Sequence, residues 1–278
     1  MKIDAHHHIW QLARGDYGWL KPDLTPLYRD FGMAEVTPFL TRFGIEKVIL
    51  VQAAPTEAET HYLLSVADAD PRVAGVVGWT EFSAPDAPAR IAALAAHPKL
   101  VGLRPMVQDI ADDDWLLRAD LIPAFDATIE HGLVYDALVL PRHLSRLLTV
   151  VERHPDLTVV IDHLAKPFIA DGQMEPWRAD MRRLAAHPKV HCKLSGMITE
   201  ARAGWRVDDL RPYVETALDL FGPDRLIWGS DWPVADLAGG YAAWAQATED
   251  LLAPLTSTEK AAIQGGTAAR VYLKEGNA

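Results

Sequence analysis

The chain has 278 residues, 49% hydrophobic and 23% charged, a composition typical of a globular protein with a sizeable core. Its formal net charge of -11 argues against nucleic acid and anionic membranes as partners. The single cysteine, Cys192, excludes an internal disulfide. No apolar run approaches the ~20 residues of a membrane span, and the first predicted strand leaves no room for a signal peptide, so we expect a cytoplasmic protein.

Short apolar runs recur along the whole chain and predict β-strands. Five of the runs follow a dipeptide that ends in proline and two follow a glycine, and both signals are typical of helix ends. The first run starts at residue 2 or 3, and the other seven span residues 47–51, 73–79, 100–104, 133–138, 158–162, 190–194 and 225–229.

The segments between these runs are rich in Ala and Leu or carry apolar residues three to four apart, which predicts helices. The predicted helices span residues 57–69, 88–96, 122–130, 144–153, 178–186 and 210–221, with two or three more within 241–273. Alternating strands and helices of the α/β class favour a parallel sheet covered by helices, and eight such units fit a TIM-type (β/α)8 barrel. A doubly wound open sheet is the alternative, although no G-x-G-x-x-G follows the first strand. Because no linker interrupts the pattern, we expect a single domain over residues 1–278.

Two long segments break the alternation. Residues 11–29 follow the first strand and are rich in aromatic residues and proline, whereas residues 109–120 follow the fourth strand and contain three successive aspartates. Long ordered loops in compact domains often cover a functional site. The sequence leaves open whether these two loops cover a site or only cover helices.

Polar residues stand at the predicted C-terminal ends of the strands, where TIM-type barrels carry their active sites. Buried strand ends do not carry such groups unless the groups are paired or functional. In strand order, these residues are His6 and His8, Gln52, Thr80 or Glu81, Arg104, Asp136, His163, Lys193 or Ser195, and Asp231.

His6 and His8 lie two apart on the first strand, so they point to one side while His7 points to the other. Two imidazoles on one side can hold a metal ion or a substrate. The alternatives are the remnant of a purification tag, a surface loop, or buried histidines that only form hydrogen bonds. Asp231 is predicted as a base or metal ligand, with a helix N-cap as its alternative.

Four motifs carry a resemblance to a known family. They are D-x-H-x-H over residues 4–8, V-I-D-H-L-A-K-P around His163, C-K-L-S-G around Ser195 and G-S-D-W-P around Asp231. Together they resemble the amidohydrolase superfamily, in particular its amidohydrolase-2 branch of lactonases. The resemblance implies a distorted (β/α)8 barrel and hydrolysis by an activated water. Members of this branch open sugar lactones such as fuconolactone and rhamnonolactone, and also pyrone-dicarboxylate and sulfomuconolactone.

The resemblance departs from the superfamily pattern at the fourth and fifth strands. Many members place a metal-binding histidine or a bridging lysine there, whereas this chain has Arg104 and Asp136. A two-metal centre is therefore not expected. Two routes remain open: one divalent ion, Zn²⁺, on His6, His8 and Asp231, or a site that works without metal.

We therefore expect a hydrolase that opens a sugar aldonolactone, most similar to L-fuconolactone, with Asp231 activating the water. Asp231 or His163 is expected to return a proton to the departing ring oxygen. The predicted substrate-binding residues are Arg104, Lys193, Gln52, Asp136, Trp10 and Trp232. The alternatives are hydrolysis of a dicarboxylate lactone, metal-dependent decarboxylation, and a sugar-binding barrel without catalysis. The expected partner is a small sugar lactone, and a homo-oligomer is left open.

Overall fold

The computed structural model describes residues 1–273 and contains one sheet of eight parallel strands. The strands lie in chain order around the sheet, which confirms the (β/α)8 barrel and excludes the doubly wound alternative, whose strand order reverses. The strands are β1 Ile3–His7, β2 Lys47–Val51, β3 Val73–Gly78, β4 Leu100–Leu103, β5 Val134–Ala137, β6 Val159–Ile161, β7 Val190–Leu194 and β8 Leu226–Trp228.

Helices follow the strands and cover the outside of the barrel. They are α1 Met33–Phe43, α2 Glu57–Ala69, α3 Ala87–Ala95, α4 Ile122–Glu130, α5 Leu144–Arg153, α6 Trp177–Ala185, α7 Val207–Phe221, α8 Gly240–Leu251, α9 Ser257–Ala261 and α10 Thr267–Tyr272. The six predicted central helices match α2 to α7 within three residues at each end. The sequence reasoning gave no bounds for α1, which contains Pro38, and recognised only its end at Gly44, where φ is +68°. None of the helices within residues 1–273 is long and apolar enough to cross a membrane.

The barrel closes where β1 meets the chain after β8. The N–H of His8 donates to the carbonyl of Trp232 at 2.7 Å, and the N–H of Asp231 donates to the carbonyl of His6 at 2.8 Å. A Cβ on Gly229 would lie 2.5 Å from the Cβ of His6, so only glycine allows the strands to approach this closely. This seam brings His6 and Asp231 together although 225 residues separate them in sequence.

A change of register in β1 decides which histidines face the barrel mouth. Ile3 and Ala5 belong to the apolar cluster inside the barrel, and strict alternation would add His7 to them. The pairing of β1 with β2 shifts between Asp4 and His7, and such an irregularity changes the phase of the side chains. His6 thereby contacts the ring of His163, with centroids 4.5 Å apart, while His7 lies beside Trp232.

Glu59 in α2 holds the loop that follows β2. Its buried carboxylate accepts hydrogen bonds from the N–H groups of Ala53 at 2.9 Å and Ala54 at 2.6 Å. Burial raises the pKa of Glu59 to about 7, although these two hydrogen bonds oppose the shift. The loop that carries Ala53 to the barrel mouth is therefore fastened by a group that titrates near neutrality.

This raised pKa gives a pH-dependent stability. A carboxyl whose pKa is higher in the folded state contributes stability that is complete below the unfolded pKa, near 4.5, and is lost as the pH rises through about 7. We expect the free energy of unfolding of the wild type to fall by roughly 3 kcal/mol more over that range than that of Glu59→Gln. Denaturant titrations at a series of pH values measure the free energy of unfolding of the wild type and of Glu59→Gln. Glu130→Gln, on an exposed position of α4, is the control and should track the wild type. Parallel curves for wild type and Glu59→Gln would contradict the assignment.

Candidate active site

Three imidazoles surround the carboxylate of Asp231 at the barrel mouth. The distances to Asp231 Oδ1 are 3.5 Å from His8 Nε2, 3.8 Å from His6 Nε2 and 3.9 Å from His163 Nε2. All four side chains are nearly or fully buried. One ligand atom each from His6, His163 and Asp231 lies within 4.8 Å of the others, a spacing that suits a metal ion. The structure thus brings together the four residues for which catalysis or metal binding is predicted.

The hydrogen bond of His8 fixes which of its nitrogens can act. His8 Nδ1 lies 2.8 Å from the carbonyl oxygen of Val51, and since a carbonyl only accepts, Nδ1 carries a proton. In the neutral ring Nε2 is then a second acceptor facing the oxygen of Asp231. Two facing acceptors repel each other unless a proton or a cation lies between them. The geometry is therefore suited to a metal ion or to a shared proton.

Burial sets the ionisation of the cluster. Burial lowers the pKa of His163 to about 4 and holds the pKa of His6 well below its ordinary value, so both rings are neutral at pH 7. Burial by itself would raise the pKa of Asp231, but interaction with His163, His8 and His6 outweighs it and lowers that pKa. The site offers neutral imidazoles and an ionised carboxylate, the forms in which these groups bind metals and accept protons.

His163 sits on a left-handed turn that the sequence did not predict. Four consecutive residues, 163–166, have φ between +51° and +58°, and none of them is glycine. This conformation costs roughly 1–2 kcal/mol per residue. The indole of Trp177 donates to the carbonyl of Leu164 at 2.7 Å, and Ser195 Oγ lies 2.9 Å from His163 Nδ1. The turn aims both His163 and Lys166 at the cavity, and the strain is typical of functional sites.

Gly196 leaves the space that His163 occupies. A Cβ at this position, where φ is +59°, would lie 2.4 Å from His163 Nδ1. We expect Gly196→Ala to displace the ring and to lower kcat/KM about 100-fold, the scale of an error of 1 Å in a catalytic group. Gly204→Ala is the matched control, because Gly204 has a similar φ of +74° but open space around it. Steady-state kinetics of both variants measure the loss of kcat/KM, and thermal melting checks that both are folded. Equal activity of the two would contradict the proposed position of His163.

A layer of buried charges lies beneath the histidines. Lys193 pairs with Asp136 and, at 3.0 Å, with Asp162, while the hydroxyl of Tyr272 donates to Asp136 at 2.7 Å. Arg104 donates to Asp162 at 3.2 Å and to the side chain of Gln52 at 2.8 Å. Asp162 in turn lies 3.5 Å from Nδ1 of His6. Burial opposes the ionisation of Asp162, but Lys193, His6 and Arg104 outweigh burial and hold its pKa well below the ordinary value.

A cavity of about 210 Å³ opens above this layer. Its wall is formed by His8, Trp19, Ala53, Arg104, Met106, Gln108, Asp109, Leu138, His163, Lys166, Asp231 and Val234. Of the predicted substrate-binding residues, only Arg104 belongs to this wall. Lys193, Asp136 and Gln52 lie in the charged layer, Trp10 donates from its indole to the carbonyl of Arg29, and Trp232 packs against Phe31.

Sequence reasoning did not select several residues that the structure places here. Lys166 follows His163 by three residues and lies within the motif V-I-D-H-L-A-K-P. Asp162 precedes His163 and links His6 to the charged layer. A carboxylate next to a strand-end histidine is the signal that could have identified Asp162. Met106 and Gln108 gave no such signal, because an ordinary loop composition surrounds them.

Comparisons with known proteins agree with this geometry. The Amidohydrolase family model matches residues 3–274. An L-fucono-1,5-lactonase of Burkholderia ambifaria is 50% identical, over 98% of this chain and 95% of that protein. An L-fucono-1,5-lactonase of Burkholderia multivorans is 38% identical, over 98% and 96% of the two chains. A crystal structure of an amidohydrolase from Burkholderia multivorans with bound zinc has a TM-score of 0.91 at 38% identity, covering 98% of this chain and 99% of that one. The chain belongs to the amidohydrolase family.

Proposed function

We propose that this protein hydrolyses a sugar aldonolactone, of the L-fucono-1,5-lactone type, to the aldonic acid. The observation that carries the proposal is an ionised carboxylate, Asp231, which lies among three imidazoles on the wall of a cavity large enough for one sugar ring, and burial keeps two of these imidazoles, His6 and His163, neutral. The identity of 50% with an L-fucono-1,5-lactonase supports the same reaction.

Asp231 is the base in the proposed reaction. It accepts a proton from the attacking water while the water oxygen bonds to the lactone carbonyl carbon. The bond between that carbon and the ring oxygen then breaks, and Asp231 delivers the proton to the departing oxygen; where no metal ion is bound at its Nε2, His163 can relay the proton from Asp231 instead. One proton of the water thus ends on the ring oxygen, and the other stays on the new carboxyl group, which releases it to solvent when it ionises at neutral pH. His163 is well placed for this step because Ser195 holds its Nδ1 at 2.9 Å and leaves Nε2 directed at Asp231.

The donor set fits one divalent ion. His6, His163 and Asp231 would hold it, and His8 Nε2 lies against the same carboxylate oxygen. Three nitrogen and oxygen ligands with an open position are typical of catalytic zinc. The chemistry that such an ion supplies when bound is Lewis-acid activation of the carbonyl and of the attacking water. In the set of three whose ligand atoms lie within 4.8 Å of one another, His163 takes the place that the sequence analysis assigned to His8.

The charges of the cavity wall favour a neutral sugar over a dicarboxylate. Two cations, Arg104 and Lys166, face two acids, Asp109 and Asp231. Arg104 is already bound by Gln52 and Asp162, and Lys166 lies 3.8 Å from Glu200. Little positive charge is left for a substrate with two carboxylates. The indole of Trp19, held by a hydrogen bond of 2.7 Å to the carbonyl of Ala53, provides a face on which a sugar ring can stack.

The other predicted substrate-binding residues take supporting roles in this proposal. Lys193, Asp136 and Gln52 orient Arg104 and, through Asp162, His6. Trp10 and Trp232 pack on either side of Phe31, with ring centroids 5.2 Å away in both cases, and so support the chain that carries His8 and Asp231. We further propose a single domain over residues 1–278, a cytoplasmic location, and a small sugar lactone as the partner.

A pH-indicator assay tests the proposal. Purified protein should acidify a solution of L-fucono-1,5-lactone well above the spontaneous rate, with one proton released per lactone opened. Prolonged chelation, verified by metal analysis, should abolish the activity, and added Zn²⁺ should restore it. Full activity in verified metal-free protein would overturn the metal part alone. No acceleration with any sugar lactone, with or without Zn²⁺, would overturn the proposed function, and release of CO₂ from a carboxylated substrate would replace it with decarboxylation.

A further inference from the structure

A second and larger cavity adjoins the proposed active site. It has a volume of about 610 Å³, against about 210 Å³ for the cavity that contains Asp231. Trp19, Met106 and Asp109 line both cavities, so the two spaces share one wall. Ligand sites commonly measure about 300–1,000 Å³, which the inner cavity alone does not reach. The proposed function uses only the inner cavity and gives the outer cavity no role.

Both long loops and the segment that follows β3 build this outer cavity. The loop after β1 contributes Asp16, Gly18 and Trp19, and the loop after β4 contributes Asp109, Ile110 and Trp115. Residues 79–83 follow β3 and form a further wall. The two segments that interrupt the strand and helix pattern of the sequence therefore enclose a space beside the active site, which answers the question the sequence left open about them.

The wall combines aromatic faces with carboxylates. Trp19 and Trp79 are half-buried, while Phe82 and Trp115 are buried behind them. Glu81 and Asp109 supply acceptors for hydroxyl groups, whereas Asp16 is paired with Arg14 at 2.8 Å. The guanidinium of Arg118 is paired with Asp120, so the charge of the wall comes from Glu81 and Asp109, which form no ion pair within residues 1–273. Aromatic faces beside carboxylates suit a neutral, hydroxylated ring and disfavour an anion.

We propose that the outer cavity binds a glycosyl substituent of the lactone, so that the substrates include aldonolactones that carry a second sugar. This inference rests on the proposed lactone hydrolysis in the inner cavity. The lactone ring lies against Asp231 and His163, and the second sugar extends past Trp19 and Met106 into the outer cavity. Hydrolysis of the ring ester is unchanged, and the glycosidic bond to the second sugar stays intact.

Gly18 allows the outer cavity to be blocked without touching the inner one. It is exposed, lines only the outer cavity, and a Cβ built on it has nothing within 4 Å. We therefore expect Gly18→Trp to narrow the outer cavity, and Gly18→Ala is the matched control. Trp79→Ala tests the same cavity independently, because it removes an aromatic face from the wall instead of narrowing the space. Thermal melting of all variants establishes that they are folded.

The experiment compares glucono-1,5-lactone and L-fucono-1,5-lactone with the 1,5-lactones of maltobionic, lactobionic, cellobionic and melibionic acids. We expect the wild type to open at least one disaccharide lactone with a kcat/KM no lower than that for glucono-1,5-lactone. Gly18→Trp and Trp79→Ala should lower the kcat/KM for the disaccharide lactone about tenfold or more, which corresponds to a loss of ~1.4 kcal/mol of binding. The same variants should leave kcat/KM for the two monosaccharide lactones within about twofold of the wild type. Gly18→Ala should match the wild type.

Three results would overturn the inference. One is that the wild type opens the monosaccharide lactones but none of the disaccharide lactones at a comparable rate. Another is that Gly18→Trp and Trp79→Ala affect both classes equally. The third is that aryl-substituted lactones are opened faster than glycosylated ones, which would assign the cavity to apolar groups. If the wild type opens no lactone of either class, the proposed function itself fails, and that outcome is distinct from the other three.

Discussion

Asp231→Asn is expected to lower kcat about 10²- to 10⁴-fold, the range that general acid–base catalysis contributes. The amide has nearly the shape of the carboxylate but cannot accept the proton of the attacking water. Asparagine also suits the backbone, because Asp231 has a φ of +56° and asparagine is enriched at such positions. The hydrogen bonds that its main chain makes to His6 and Ala235 are unaffected. Steady-state assays with L-fucono-1,5-lactone measure the loss, and thermal melting checks the fold.

Two further measurements separate the possible roles of Asp231. Asp236→Asn changes a carboxylate in the same loop that does not line the cavity, and it should keep activity near that of the wild type. Metal analysis of Asp231→Asn after incubation with Zn²⁺ tests ligation, since a ligand role predicts a reduced zinc content along with the lost activity. Retained activity in Asp231→Asn would contradict the proposed mechanism with or without a metal.

The sequence predicted most of the fold because its signals are local. Apolar runs, prolines and glycines at helix ends, and three-to-four spacing each depend on a few neighbouring residues. The bounds of α1 could not be predicted for the same reason, because Pro38 inside this helix opposes the local helical signal. The candidate site could be predicted at the strand ends because the strand-end rule needs only the strand bounds.

The roles of individual site residues were harder to predict because they depend on contacts between distant segments. The strand-end rule selected Lys193 and Asp136 as candidate substrate-binding residues, but the structure pairs them with each other, and neither lines the cavity. The left-handed turn at His163 is held by Trp177 and by the space at Gly196, which no local pattern reveals. Sequence reasoning thus locates the strand end, and tertiary contacts decide which side chain reaches the substrate.

Lys193→Met is expected to lower the free energy of unfolding by about 3–5 kcal/mol, the cost of removing one partner from a buried ion pair. Lys193 is fully buried and is the cation shared by the carboxylates of Asp136 and Asp162. Within residues 1–273, its loss leaves Asp136 with the hydrogen bond from the hydroxyl of Tyr272 as its remaining side-chain partner, whereas Asp162 keeps Arg104 at 3.2 Å. For a domain of this size the thermal midpoint should fall by roughly 10 °C. Denaturant unfolding and thermal melting measure the two quantities.

The double variant Lys193→Met with Asp136→Asn separates an uncompensated charge from a packing defect. If the cost comes from the unpaired carboxylate of Asp136, neutralising it should recover a large part of the lost stability, because Asp162 retains a cation. If the cost comes from poor packing of methionine, the second substitution should recover nothing. Lys189→Met, which breaks an exposed ion pair of 2.7 Å with Asp156, should cost less than about 1 kcal/mol. An equally small loss for Lys193→Met would show that the charged layer does not stabilise the barrel. The role of Lys193 would then be to orient Arg104 and His6 through Asp162.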